Sequence, residues 1–166
     1  MRVPIRKGGK YTFTKPDPYL TQEKFDALQS KLDKLLNYTR LQAMADVKRT
    51  GENGDFSENA EYQIAKGRLR GINQRILDLQ DQLKNVHIIK PNKNANTIGL
   101  GNKATVLLNG QEKTFQILGS AETNPALGII SHKSPIGSAL IGHQVGEMVK
   151  IKINNHEITY KILDIK

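Results

Sequence analysis

Asp55 and Glu58 stand three residues apart, and Glu61 follows after another three. Oxygen-only donors at this spacing suit a hard cation such as Mg²⁺. Mg²⁺ takes about six oxygens in octahedral geometry, which two or three carboxylates cannot supply alone, so a partner must complete any such site. The same spacing is that of a capping box, in which Asp55 caps a helix and Glu58 reaches back to it. Both charges also suit the positive end of a helix dipole. Local physics therefore serves either role. Phe56 lies between the two carboxylates, an awkward residue for a solvated turn and a sensible one for a docking surface.

Two helices must position this cluster. Thr21 is a candidate N-cap, and Phe25, Leu28, Leu32, Leu35 and Thr39 recur at alternating steps of three and four, one apolar stripe of an amphipathic helix reaching about Arg49. Thr50, Gly51, Asn53 and Gly54 end it. A second stripe, Ala65, Leu69, Ile72, Ile76, Leu79, Leu83 and Val86, is an unbroken heptad seam. Two seams joined by a short loop predict an antiparallel coiled-coil hairpin with the acidic cluster at its tip. At ~1.5 Å per residue, the second helix makes a rod on the order of 40 Å. Gly67 and Gly71 each weaken it by roughly 1 kcal/mol relative to Ala, which the seam should outweigh.

The period changes after Ile89. Residues 1–19 read as an irregular basic extension, 20–89 as the hairpin, 90–101 as a linker rich in Asn, Lys and Gly, and 102–166 as a second domain. In the second domain, Ala104–Leu108 and Thr114–Leu118 flank Asn109-Gly110, a strong β-hairpin signal. Gly128–His132 reads as a strand, and Met148–Ile153 and Glu157–Ile165 form another hairpin around Asn154-Asn155. Ser134 as N-cap and Pro135 at the first helical position open a short helix closed by Gly142. The fold class is α+β in two domains, a helical hairpin plus a small antiparallel sheet with one helix.

The 166 residues include no cysteine, and the net charge is +9. Disulfides and thiolate metal sites are excluded, and the charge favours an anionic partner. No apolar run approaches the ~18–20 residues of a membrane span, so the expectation is a soluble, cytoplasmic protein that acts as a monomer. Lys66, Arg68, Arg70 and Arg75 form an acid-free basic run behind the tip. It is a solvated face or a phosphate-contacting one. His87, His132, His143 and His156 lack metal-ligand spacing and read as structural or surface residues.

The run from Gly54 to Tyr62, the stretch Lys66–Arg70, the segment Ser134–Gly142 with Val145-Gly146-Glu147, and the closing Tyr160–Ile165 strand resemble the bacterial Gre transcript-cleavage factors, GreA and GreB. The resemblance covers roughly residues 19–166. It implies an FKBP-like C-terminal domain docking at the rim of the RNA polymerase secondary channel, with contact near Ser134 and Pro135. It implies a hairpin passing down that channel. There Asp55 and Glu58, supported by Phe56, Asn59, Glu61 and Tyr62, would share a Mg²⁺ with the polymerase active centre and stimulate cleavage of the backtracked RNA 3′ end. No cofactor would be held stably by the protein alone, which would not be an enzyme by itself. The basic run would then touch the extruded RNA.

The Phe56-Ser57 pair is close to the GreB pattern, and Ser134–Gly142 is closer to GreA. Residues 1–18 have no counterpart in the family's usual start. Two rivals stand beside this reading: an inhibitory Gre homologue that plugs the channel, which an intact Asp55/Glu58 pair disfavours, and a coiled-coil RNA-binding module whose acidic tip is only a cap. Prolyl isomerase activity is rejected, because Phe115 and Tyr160 are the second domain's only aromatic residues and fold does not fix function.

Overall fold

The computed structural model describes residues 17–52, 60–91, 96–153 and 156–166. The Thr21 hydroxyl accepts a hydrogen bond from the Lys24 N–H at 3.2 Å, capping helix α1, Gln22–Lys34. A π-helical turn, Leu35–Thr39, leads without a break into α2, Arg40–Gly51. Helix α3, Ala60–Lys84, has 25 residues and so spans about 37 Å. Leu32 and Ala43 pack with Ile72, Ile76 and Leu79 to form the buried seam, flanked by Leu28, Leu35, Leu36, Leu69 and Leu83. The heptad pattern of α3 is therefore the packed face as far as Leu83, while Val86 lies beyond the helix end.

The first stripe departs from expectation. Continued at steps of three and four past Thr39, it would bury Gln42, Asp46 and Arg49. Ala43 and Thr50 are buried instead, one position later. A π-turn holds an extra residue, and it moves the seam by that one place. The gain is clear in the residue types, because a methyl replaces an amide in the seam and no guanidinium is desolvated. Thr50 satisfies its hydroxyl on the carbonyls of Asp46 and Val47, at 2.8 and 3.2 Å.

The second domain is a five-stranded sheet. Strands β3, Lys103–Leu108, and β4, Gln111–Leu118, pair antiparallel across Asn109 and Gly110, whose φ angles of 49° and 81° are those the turn requires. Strand β7, His156–Ile165, pairs antiparallel with both β3 and β6, Met148–Ile153. Strand β5, Ile129–Ser131, runs parallel to β4, giving the order β5-β4-β3-β7-β6. The sheet is thus mixed, where the sequence pattern suggested a wholly antiparallel one. Two 3₁₀ turns, Ser120–Glu122 and Pro125–Leu127, carry the chain back so that β5 can run the same way as β4. Helix α4, Pro135–Leu140, contributes Leu140 to a core with Val106, Ile117, Tyr160 and Ile162. The Asn154-Asn155 turn lies outside the described residues. Among those described, no helix is long and apolar enough to cross a membrane.

Residues 17–19, read from sequence with the irregular extension, are built into the fold. Tyr19–Leu20, strand β1, pairs in parallel with His87–Ile88, strand β2, so the two ends of the hairpin are tied together. Leu20 is fully buried. The Asp17 carboxylate, only 2% exposed, accepts hydrogen bonds from the Ser120 N–H at 2.9 Å and hydroxyl at 2.8 Å. Glu122 accepts from the Thr21 N–H and hydroxyl at 2.7 and 2.6 Å. Opposite Tyr19, Gly119 is required because a Cβ there would sit 1.9 Å from the Tyr19 carbonyl oxygen. This strap fastens the base of the hairpin to the second domain.

Candidate functional site

Asp55, Phe56, Glu58 and Asn59 lie outside the described residues, between the end of α2 and the start of α3. Glu61 and Tyr62 open α3, Glu61 exposed and Tyr62 half-buried. The Lys66 ammonium lies 5.5 Å from the centroid of the Tyr62 ring, one turn away on the same face. Among the described residues, no group of three His, Asp or Glu side chains is arranged to hold a metal ion.

The basic run occupies two environments. Arg70 is an exposed side chain, and Arg75 borders an opening shared with Lys31, Asp78 and Gln82. Arg68 meets an acid after all, supplied by the facing helix: its guanidinium lies 3.9 Å from Asp46, which also draws Arg49 at 3.6 Å. A single-helix reading of charge order had no access to that contact, because Asp46 is 22 residues away in sequence.

Ser134 caps α4 and Pro135 is its first residue. The Ser134 hydroxyl accepts from the Gly137 N–H at 3.0 Å and donates to the Ser131 carbonyl at 2.7 Å. Gly137 must stay bare, since a Cβ would come 2.1 Å from that same carbonyl. The Ser131 hydroxyl in turn bonds that of Ser120 at 2.8 Å, and Ser120 holds Asp17. A short polar chain thus connects the Ser134 loop to the strap.

Sequence reasoning missed the strap residues Asp17, Ser120 and Glu122. Burial alone pushes the Asp17 carboxyl up, but the hydrogen bonds from Ser120 and Tyr19 and the charge of His132 outweigh it. The carboxyl is held below the usual aspartate range. His132 Nδ1 lies 3.5 Å from Asp17, and the ring meets Tyr19 edge-on. The His87 ring also packs against Tyr19, at 5.7 Å between centroids, and His143 pairs with Glu147. These three histidines have structural partners.

Fold and site together define a class of protein built as a charged helical hairpin strapped to a small β domain. Two family models match the chain in order. Transcription elongation factor, N-terminal, spans residues 18–88, and Transcription elongation factor, GreA/GreB, C-term, spans 92–166. Transcription elongation factor GreA of Trichlorobacter lovleyi is 38% identical over 156 residues, covering 89% of this chain and 95% of the relative. GreA of Thermosipho africanus is 39% identical over 150 residues, covering 89% and 96%. The solved structure of GreA factor homolog 1 from Thermus thermophilus matches with 24% identity and a TM-score of 0.40, covering 89% of this chain and 97% of that one. The chain belongs to the GreA/GreB family of transcription elongation factors.

Proposed function

We propose that this elongation factor binds bacterial RNA polymerase, enters its secondary channel hairpin first, and stimulates cleavage of the RNA 3′ end in backtracked complexes. The observation carrying this reading is that both family models match in sequence order while Asp55 and Glu58 stand in the segment joining α2 to α3. The donor set fits a hard cation only as a shared ligand, because two carboxylates offer at most about four of the six oxygens Mg²⁺ takes. Such an ion, when bound, would supply charge neutralisation at the phosphodiester and a more acidic water. Asp55 and Glu58 would complete its coordination from the protein's side and would orient water by accepting hydrogen bonds from it. Phe56, Asn59, Glu61 and Tyr62 support the tip. Lys66, Arg68, Arg70 and Arg75 attract the extruded RNA through its phosphates, a sequence-independent and salt-sensitive contact. The Ser134-Pro135 loop, stiffened by its own hydrogen bonds, serves as the docking contact on polymerase.

The test adds wild-type protein and Asp55→Asn/Glu58→Gln to stalled, backtracked polymerase with Mg²⁺. Wild type should release a 3′ RNA fragment, and the double variant should bind without stimulating release. Undiminished cleavage by the variant would refute the carboxylate role. Inhibition without cleavage by wild type would instead identify a channel plug, and binding to free RNA with neither effect would identify an RNA-binding module.

A further inference from the structure

Asp46 on α2 stands between two guanidiniums that reach it from different helices, Arg49 from its own and Arg68 from α3. Each arginine approaches a different carboxylate oxygen, at 3.6 and 3.9 Å. Both distances exceed the 2.7–2.9 Å of a charge-assisted hydrogen bond, so neither pair is engaged at full strength. The three side chains are 73%, 40% and 68% exposed for Arg49, Asp46 and Arg68, and pairs this solvated contribute little to stability. Two guanidiniums flanking one small anion with two accepting oxygens reproduce the seat of a backbone phosphate.

The surroundings favour an anion stronger than a carboxylate. Across residues 40–52 and 60–75 there are seven basic side chains, Arg40, Lys48, Arg49, Lys66, Arg68, Arg70 and Arg75, against Asp46, Glu52 and Glu61. The cleft beside the triad, about 310 Å³, is bordered by Thr50, Ile64 and Ala65 as well. Glu61 also faces this cleft, two turns toward the start of α3 and so about 10 Å along the axis from Arg68.

We infer that Asp46 is an internal stand-in for phosphate: it holds Arg49 and Arg68 in a shared seat that a backbone phosphate of single-stranded RNA takes over. The inference rests on the reading of the hairpin as RNA-facing, adds Arg49 to that surface, and makes Asp46 the residue that sets its affinity. When RNA arrives, the Asp46 side chain rotates away and both arginines close onto non-bridging oxygens. An exchange of this kind weakens RNA binding at rest and keeps both guanidiniums gathered about one anion.

The test measures binding of the full-length protein to a fluorescent oligouridine by anisotropy, across salt from about 50 to 200 mM. Asp46→Asn should tighten binding about fivefold, the cost of two weak exposed pairs. Asp78→Asn, which removes the same charge elsewhere on the hairpin, should change it less than about twofold. Arg49→Ala and Arg68→Ala should each lower the salt slope by about 0.7 and cancel the gain from Asp46→Asn. Equal gains from Asp46→Asn and Asp78→Asn, or a gain that survives loss of both arginines, would overturn the seat. Because this assay contains no polymerase, its outcome is independent of the cleavage assay, and either reading can fail alone.

Discussion

Removing the carboxylate of Asp17 should release the strap while leaving the rest of the hairpin folded. In the protein, that carboxylate receives two well-formed hydrogen bonds from Ser120, at 2.9 and 2.8 Å, and a long one from the Tyr19 N–H at 3.4 Å. Hydrogen bonds to a charged group contribute about 1.5–3 kcal/mol each. Two of them, taken at the low end of that range because water enters the vacated space, place the cost of Asp17→Ala at about 3 kcal/mol. Every 1.4 kcal/mol is a factor of ten, so local opening should become on the order of a hundredfold more frequent. The natural reporters are the amides of His87 and Ile89, which donate to the carbonyls of Pro18 and Leu20 at 2.8 Å each. Hydrogen exchange read by NMR should accelerate by that factor at these two positions and hardly at all at Ile72 and Ile76 in the α3 seam. Acceleration under about threefold would refute the energetic role given to Asp17. Equal acceleration in the seam would refute the claim that the strap opens independently.

The same junction should respond to acid. The folded Asp17 carboxyl lies below its unfolded value, so its stabilisation is complete above about pH 4 and is lost as pH falls through the lower, folded value. Thermal midpoints measured from about pH 6 downward should therefore fall more steeply for wild type than for Asp17→Asn. Gly67 and Gly71 each face open space, with nothing within 4 Å of an added Cβ. Gly67→Ala and Gly71→Ala should each stabilise the protein by about 1 kcal/mol in urea unfolding followed by helical circular dichroism. A loss of stability from either would show that the helix departs from regular geometry there.

Much of this fold is written in local residue chemistry. Asn109-Gly110 can adopt positive φ, Ser134-Pro135 can only sensibly begin a helix, and the α3 heptads fix their own buried face. What escaped sequence reading depends on partners distant in the chain. Strand β1 has two residues, too few for any periodicity, and its partner His87–Ile88 is 68 residues away. The parallel pairing of β5 follows from how the two 3₁₀ turns route the chain, which alternation within a three-residue strand cannot encode. The π-turn is invisible for another reason: Leu35, Leu36 and Thr39 fit an uninterrupted α-helix as well, and only the choice between Gln42 and Ala43 in the seam decides. For the candidate site, the acidic pair and the basic run were legible as residue types and spacing. The Asp46 contact was not, because it forms across the hairpin.

That extra residue at Leu35–Thr39 also acts as a phase setting. Each residue turns an α-helix by about 100°, so winding the same residues as regular α-helix, with none deleted, would rotate all of α2 by roughly that angle about its axis relative to α1. Gln42, Asp46 and Arg49 would then turn toward the seam, and Ala43 and Thr50 out of it. The spatial relation between the strapped base and the far half of the hairpin is thus a matter of residue count as much as residue type. Deleting one residue of this short stretch would let it close as α-helix with Ala43 still in the seam, whereas inserting a further one would turn the far half of the hairpin by about 100°.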